Sequence, residues 1–301
     1  MTKNTRIGIA LLACLGLAAA LILSASHQGI RLSGISVFAL AGALPFLLHW
    51  LMFVPALLLR TEHYFDLTGA LSFIAAILSA NAAVAAAGYN VDLRSQLLSL
   101  MVLTWALRLG IFLFLRVRRA GEDRRFRDIK QQPLRFLLTW TLGALWALIT
   151  VAPALAAITS PQTKAMDALA YTALALWFSG LMIEVIADRQ KSAFRAQPGN
   201  RNAFIHTGLW ALSRHPNYLG EMILWAAVSL LAAPALQGWQ HATLLSPLFV
   251  IFLLCKVSGI PLLEARAEQE WGQDPRYRQY VKKTPVLIPR FGGRGRKNHQ
   301  E

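Results

Sequence analysis

Residues 211–234 read ALSRHPNYLGEMILWAAVSLLAAP. The second half is an apolar run that predicts a membrane helix over 217–234. The first half crowds Arg214, His215, Pro216, Asn217, Tyr218 and Glu221 onto the lip of that helix. Pro216 suits the first helical turn, where its missing N–H costs nothing. A helix start offers free N–H groups and a positive dipole end, which together seat an anion. Asn217, Glu221 and Trp225 then follow at i, i+4 and i+8, one face of a helix. Gly220 beside them lets another backbone or a flat ring come close.

Seven further runs are long enough to cross about 30 Å of hydrocarbon. They lie near 7–25, 34–59, 65–88, 95–115, 134–158, 166–188 and 242–263. The 301-residue chain is 55% hydrophobic and 15% charged, where a soluble domain carries about 25% charged residues. An all-α polytopic membrane bundle of about eight spans is therefore expected. Lys3 and Arg6 precede the first run as they would in a signal peptide. That run is nearly a full span long and more spans follow, so a retained helix is expected.

The net charge of +15 suggests nucleic acid until it is placed. With a cytoplasmic N-terminus and eight spans, 25 of the 30 lysines and arginines fall on the cytoplasmic side. Arg31, Arg94 and Lys164 fall opposite, and Arg108 and Lys256 fall within spans. The positive-inside rule then puts both termini in the cytoplasm, and the excess charge reads as topology plus attraction to anionic lipid. No nucleic-acid partner is expected. Cys14 and Cys255 sit in apolar runs without a CxxC partner, and the histidines are scattered, so no disulfide and no metal site is expected.

Ionisable groups at membrane depth cost about 2.5–3.5 kcal/mol each on insertion scales and mark functional or paired sites. In WFSGLMIEVIADRQKSAFR (177–195), Glu184, Asp188, Lys191 and Arg195 fall at i, i+4, i+7 and i+11 on one helix face. They form either ion pairs at the water interface or a groove whose carboxylates meet ribose and whose cations meet phosphate. EHYFDLTG puts Glu62, His63, Tyr64 and Asp66 at a helix mouth. Arg108 lies inside the fourth span and needs a carboxylate or a ligand anion, with Asp66 a candidate partner. RRAGEDRRFRDI (118–129) is a mixed-charge loop, either plainly solvated or closing over a phosphate.

GLWALSRHPNYLGE, the preceding EVIADRQKSAFR and the later DPRYRQYVKKTPVLIP together resemble the C-terminal half of the steroid 5α-reductase superfamily. The nearest likeness is to its bacterial members of undefined substrate, over about residues 60–290. The first helix then stands as an addition to a seven-span core. Sterol reductases carry a similar RHPNY-[LF]-G-[DE], and isoprenylcysteine carboxyl methyltransferases a looser RHP-x-Y-x-G. The resemblance implies NADPH held by Glu184, Asp188, Arg195, Arg214, His215, Asn217, Tyr218, Glu221, Glu264 and Tyr277. It further implies hydride transfer to an activated C=C of a lipophilic, steroid-, isoprenoid- or lipid-like substrate. Glu62, Tyr64 and Asp66 are the nearest candidates for the group that polarises the carbonyl. An S-adenosylmethionine-dependent methyltransferase is the alternative, sharing RHP-x-Y-x-G and a glutamate-rich EARAEQE (264–270). The implied organisation is an added helix over 1–30, pocket-shaping helices over 31–165, cofactor-binding helices over 166–290 and a basic tail over 291–301. A bacterial inner-membrane location follows from the same resemblance.

Overall fold

Each long apolar run becomes a helix because, in hydrocarbon, only a helix satisfies its own backbone N–H and C=O groups. The computed structural model describes residues 2–200 and 202–289. Among them α1 spans Lys3–Ala25, α2 Val37–Leu58, α3 Phe65–Ala86, α4 Leu93–Ala120, α5 Pro133–Ile158, α6 Ala168–Ala196 and α7 Pro216–Ala232. Short helices follow: α8 Ser246–Phe252, α9 Ile260–Trp271 and α10 Pro275–Lys283. Among the described residues eight segments are long and apolar enough to cross a membrane, so the protein is an all-α integral membrane protein. The expected tail at 291–301 lies outside the described residues.

Local chemistry sets the helix starts. Thr2, Ser36, Asp92 and Asp274 each accept a hydrogen bond from a first-turn N–H, as caps do. Pro133, Pro216 and Pro275 open their helices. Between α1 and α2 a two-residue hairpin pairs Arg31–Leu32 with Ile35–Ser36, turning through positive φ at Ser33 and Gly34. The eighth span departs from the single helix expected over 242–263. It runs as a 3₁₀ segment (Gly238–Leu245), α8, a π-helical turn (Leu253–Val257), a break at Gly259 and then α9. Pro261 accounts for the break at Gly259, since it has no N–H to donate and its ring clashes with the carbonyl four residues back.

Two compact units emerge: residues 1–174 with 225–249, and residues 175–224 with 250–301. In the first, α5 is the central helix, packed against α1, α2, α3 and α4. Its most apolar stretch is 89% buried against 11% for α1, as expected of a helix that is apolar all round. Phe73 meets Trp105, Trp146 and Trp225 at centroid distances of 5.2, 5.2 and 5.6 Å. A second cluster joins Ala56, Phe126, Phe136 and Trp140. Arg94, read as one of the few non-cytoplasmic cations, is 1% exposed. It donates to the carbonyls of Leu231 and Ala165 and meets Asp167 at 3.4 Å.

Candidate functional site

The second unit brings the polar sequence signals together. On α6, Glu184 and Asp188 are buried, Lys191 is half-buried and Arg195 is exposed, so the predicted stripe runs outward from the core. The facing segment is pinned to the same helix. Trp210 Nε1 donates to the Ala187 carbonyl at 3.0 Å, the Leu209 N–H donates to Gln190 at 2.9 Å, and Lys191 Nζ lies 4.5 Å from the Trp210 ring centroid. With 207–213 held there, the chain enters α7 at Pro216, and the Asn217 amide donates to Asp188 Oδ1 at 3.4 Å.

Gly220 meets a backbone, not a ring. A Cβ built on it would lie 2.5 Å from the Gly180 carbonyl oxygen and 2.8 Å from the Glu184 nitrogen. One built on Gly180 would lie 2.7 Å from the Gly220 oxygen. The two glycines let α6 and the first turns of α7 touch backbone to backbone, which fixes the register of Glu184 and Asp188 against Asn217 and Glu221.

Arg214 and His215 both bond Glu264 on α9, His215 through Nε2 at 2.6 Å. A carboxylate only accepts, so Nε2 carries a proton. His215 stacks on Tyr218 with centroids 5.8 Å apart and planes 11° from parallel. Its Nδ1 and Arg214 Nε are buried with no hydrogen-bond partner among the described residues. The backbone N–H groups of Arg214 and His215 donate to the carbonyls of Pro285 and Val286, which explains why TPVLIP accompanies the RHPNY motif. Tyr277 is buried in an aromatic cluster with Phe204, Trp271 and Tyr280. Burial pushes the phenols of Tyr277 and Tyr280 up from their ordinary values, so both stay protonated, and Tyr280 donates to the Trp210 carbonyl at 2.8 Å. Phe204 had no sequence signal; an aromatic residue in a loop is not distinctive.

The three acid candidates lie in the first unit and part company there. Glu62 is buried, accepting from the Asp123 N–H at 2.8 Å and from Lys130 Nζ at 2.7 Å. Tyr64 is exposed at the mouth of α3. Asp66 sits 3.9 Å from Arg116 and 3.7 Å from Arg125 and lines an apolar cavity, whereas the Arg108 guanidinium lies over the Phe112 ring. His49, overlooked as a lone histidine in an apolar run, lines the same cavity.

The loop over 121–130 is anchored. Phe126 packs into the Phe136–Trp140 cluster, and Arg125 Nε donates to Asp123 at 2.8 Å. Burial pushes the Asp123 carboxyl up, but the hydrogen bonds and charge of Arg125 outweigh it and hold the group below its usual range. A carboxyl depressed in the folded state stabilises above its unfolded pKa of about 3.9 and loses that contribution as pH falls through the folded value. Amide exchange of residues 122–130, corrected for intrinsic rates, is therefore expected to accelerate as pH drops below about 4. In Asp123→Asn the exchange is expected to be fast at every pH; a pH-independent wild type would remove Asp123 as the anchor.

No solved structure matches the chain. An uncharacterised protein of Schizosaccharomyces pombe is 24% identical over 234 residues, covering 68% of this chain and 67% of that relative. The family described as protein of unknown function (DUF1295) matches residues 52–284, through the first unit and the polar cluster of the second, and the chain belongs to that family.

Proposed function

We propose that the protein is a membrane-embedded, NADPH-dependent reductase acting on an activated C=C of a lipophilic, steroid-, isoprenoid- or lipid-like substrate. The observation that carries this reading is the meeting of Asp188 and Asn217 at the start of α7, with Glu184 one turn before and Glu221 one turn after. Support comes also from the motifs shared with the steroid 5α-reductase superfamily, in whose group the matched family stands.

The residues present suit a nucleotide. Carboxylates and a carboxamide near a helix start can bind ribose hydroxyls and the nicotinamide amide, while Lys191 and the exposed Arg195 suit phosphate. Arg214 and His215, held by Glu264, still offer Arg214 Nε and His215 Nδ1 to a ligand. The cofactor, when bound, supplies hydride to the electron-poor carbon, and a proton on the neighbouring carbon completes the reduction. The chain's own part is to fix the nucleotide, exclude water and donate one hydrogen bond to the developing enolate oxygen. On this reading the location is the bacterial inner membrane, with both termini cytoplasmic.

Detergent-purified protein is expected to bind NADPH, with affinity falling about tenfold or more in Asn217→Ala and in Asp188→Ala, the loss of a charge-assisted contact. Titration of NADPH fluorescence checks this. No binding, or binding that neither substitution alters, overturns the reading, and saturable binding of S-adenosylmethionine instead turns it to methyl transfer.

A further inference from the structure

A narrow apolar cavity of about 50 Å³ lies in the first unit, walled in part by Phe73, Trp105, Trp146 and Leu113. Whole small-molecule pockets run to about 300–1,000 Å³, so this one takes the end of a molecule. Two polar side chains line it, His49 and Asp66. Asp66 is faced by Arg116 and Arg125, both well exposed to solvent. His49 is the opposite, 1% exposed on α2.

The hydrogen bonds around His49 decide its chemistry. Nδ1 lies 2.7 Å from the Pro45 carbonyl, which can only accept. It also lies 3.2 Å from Ser72 Oγ, whose own proton goes to the Thr68 carbonyl at 2.8 Å. Both neighbours are acceptors, so Nδ1 carries the proton and Nε2 of the neutral ring presents a lone pair. Edge contacts from Phe65 and Trp140, each 6.0 Å between centroids, hold the ring in place. Nε2 is buried and has no hydrogen-bond partner among the described residues. Gly143, which lines the same cavity, lets the α5 backbone come close to that nitrogen, since a Cβ there would stand 2.9 Å from Nε2.

A lone pair buried among aromatic rings is the complement of one group, a donor carried on an apolar body. We propose that this cavity binds the hydroxyl-bearing end of a lipophilic alcohol, with the hydroxyl donating to His49 Nε2. A carbonyl end would set one acceptor against another at Nε2 and so gains nothing from His49. This assignment stands independently of NADPH, and its test uses no cofactor.

Because Trp105 and Trp146 wall the cavity, tryptophan emission of the detergent-purified full chain reports occupancy. The probes are 1-dodecanol and dodecyl methyl ether, equal in chain and different in the donor. Dodecanol is expected to saturate the response of the wild type, with the ether weaker by about tenfold, the worth of one buried hydrogen bond. His49→Phe is expected to bind both probes equally weakly. His49→Gln, whose amide oxygen still accepts, is expected to keep the preference for the alcohol. Equal binding of the two probes to the wild type, no saturable response, or unchanged preference in His49→Phe overturns the proposal. The wild-type comparison decides even if His49→Phe does not fold.

Discussion

Alanine at Gly220 is expected to lower stability by about 3 kcal/mol, near the upper end of the usual range for overpacking. The atoms a new methyl would strike are backbone, at 2.5 and 2.8 Å, so no side-chain rotation relieves the clash. Either α6 and α7 move apart or the helices distort. Gly180→Ala is expected to behave alike, because its Cβ would meet the Gly220 oxygen at 2.7 Å and the Leu224 nitrogen at 2.8 Å. Thermal unfolding in detergent checks both, with an expected fall of about 6–10 °C for a chain of this size. Gly16→Ala on α1, where nothing lies within 4 Å, is the control and is expected to leave the midpoint in place. The same separation would pull Asn217 from Asp188, so surviving Gly220→Ala protein is expected to lose NADPH binding as well. An unshifted midpoint would mean that these backbones do not meet.

This contact also shows what the sequence could carry. Eight spans were legible because length and hydropathy are properties of one segment, and hydrocarbon leaves an apolar run little choice but helix. Gly220 was legible as a place of close approach, since the missing side chain is written in the residue type. That the approaching backbone belongs to Gly180 was not, because nothing local joins positions forty residues apart. The bonds from Arg214 and His215 to Glu264 were hidden in the same way. The stripe from Glu184 to Arg195 was legible as helical periodicity, but its outward gradient of burial depends on which turns α7 covers.

Arg94 and the 118–129 segment were harder. Arg94 read as a loop residue on the far side of the membrane, and its partners are chiefly carbonyl oxygens, which no side-chain pattern announces. The 118–129 segment read as a solvated or phosphate-closing loop because its charges dominate the eye. Phe126 and Ile129, the two apolar residues near its end, determine where it packs. His49 shows the converse: a lone histidine in an apolar run is the kind of intramembrane ionisable group that insertion costs make worth noticing. Its importance appears only once Pro45 and Ser72 have fixed its tautomer.

Removing the Glu62 side chain is expected to be the most damaging change in the first unit. The carboxylate is 1% exposed and Lys130 is 16% exposed, so the pair is largely withdrawn from water. Glu62→Ala strands both the Lys130 ammonium and the Asp123 N–H, and breaking such a buried pair costs about 3–5 kcal/mol. Glu62→Gln keeps an oxygen for Asp123 and removes the charge, so a smaller loss is expected. Lys130→Met strands the carboxylate in turn, leaving it one backbone donor. If the two side chains act chiefly on each other, Glu62→Gln with Lys130→Met destabilises by less than the sum of the single changes, with a coupling of about 1–3 kcal/mol. Thermal unfolding of the wild type and three variants in one detergent supplies the cycle. Additive losses would detach Glu62 from Lys130 and return it to consideration as the acid that polarises a substrate carbonyl. A measured coupling assigns it to holding the 121–130 loop and leaves the half-buried Asp66, which lines the cavity, as the remaining acid near the mouth of α3.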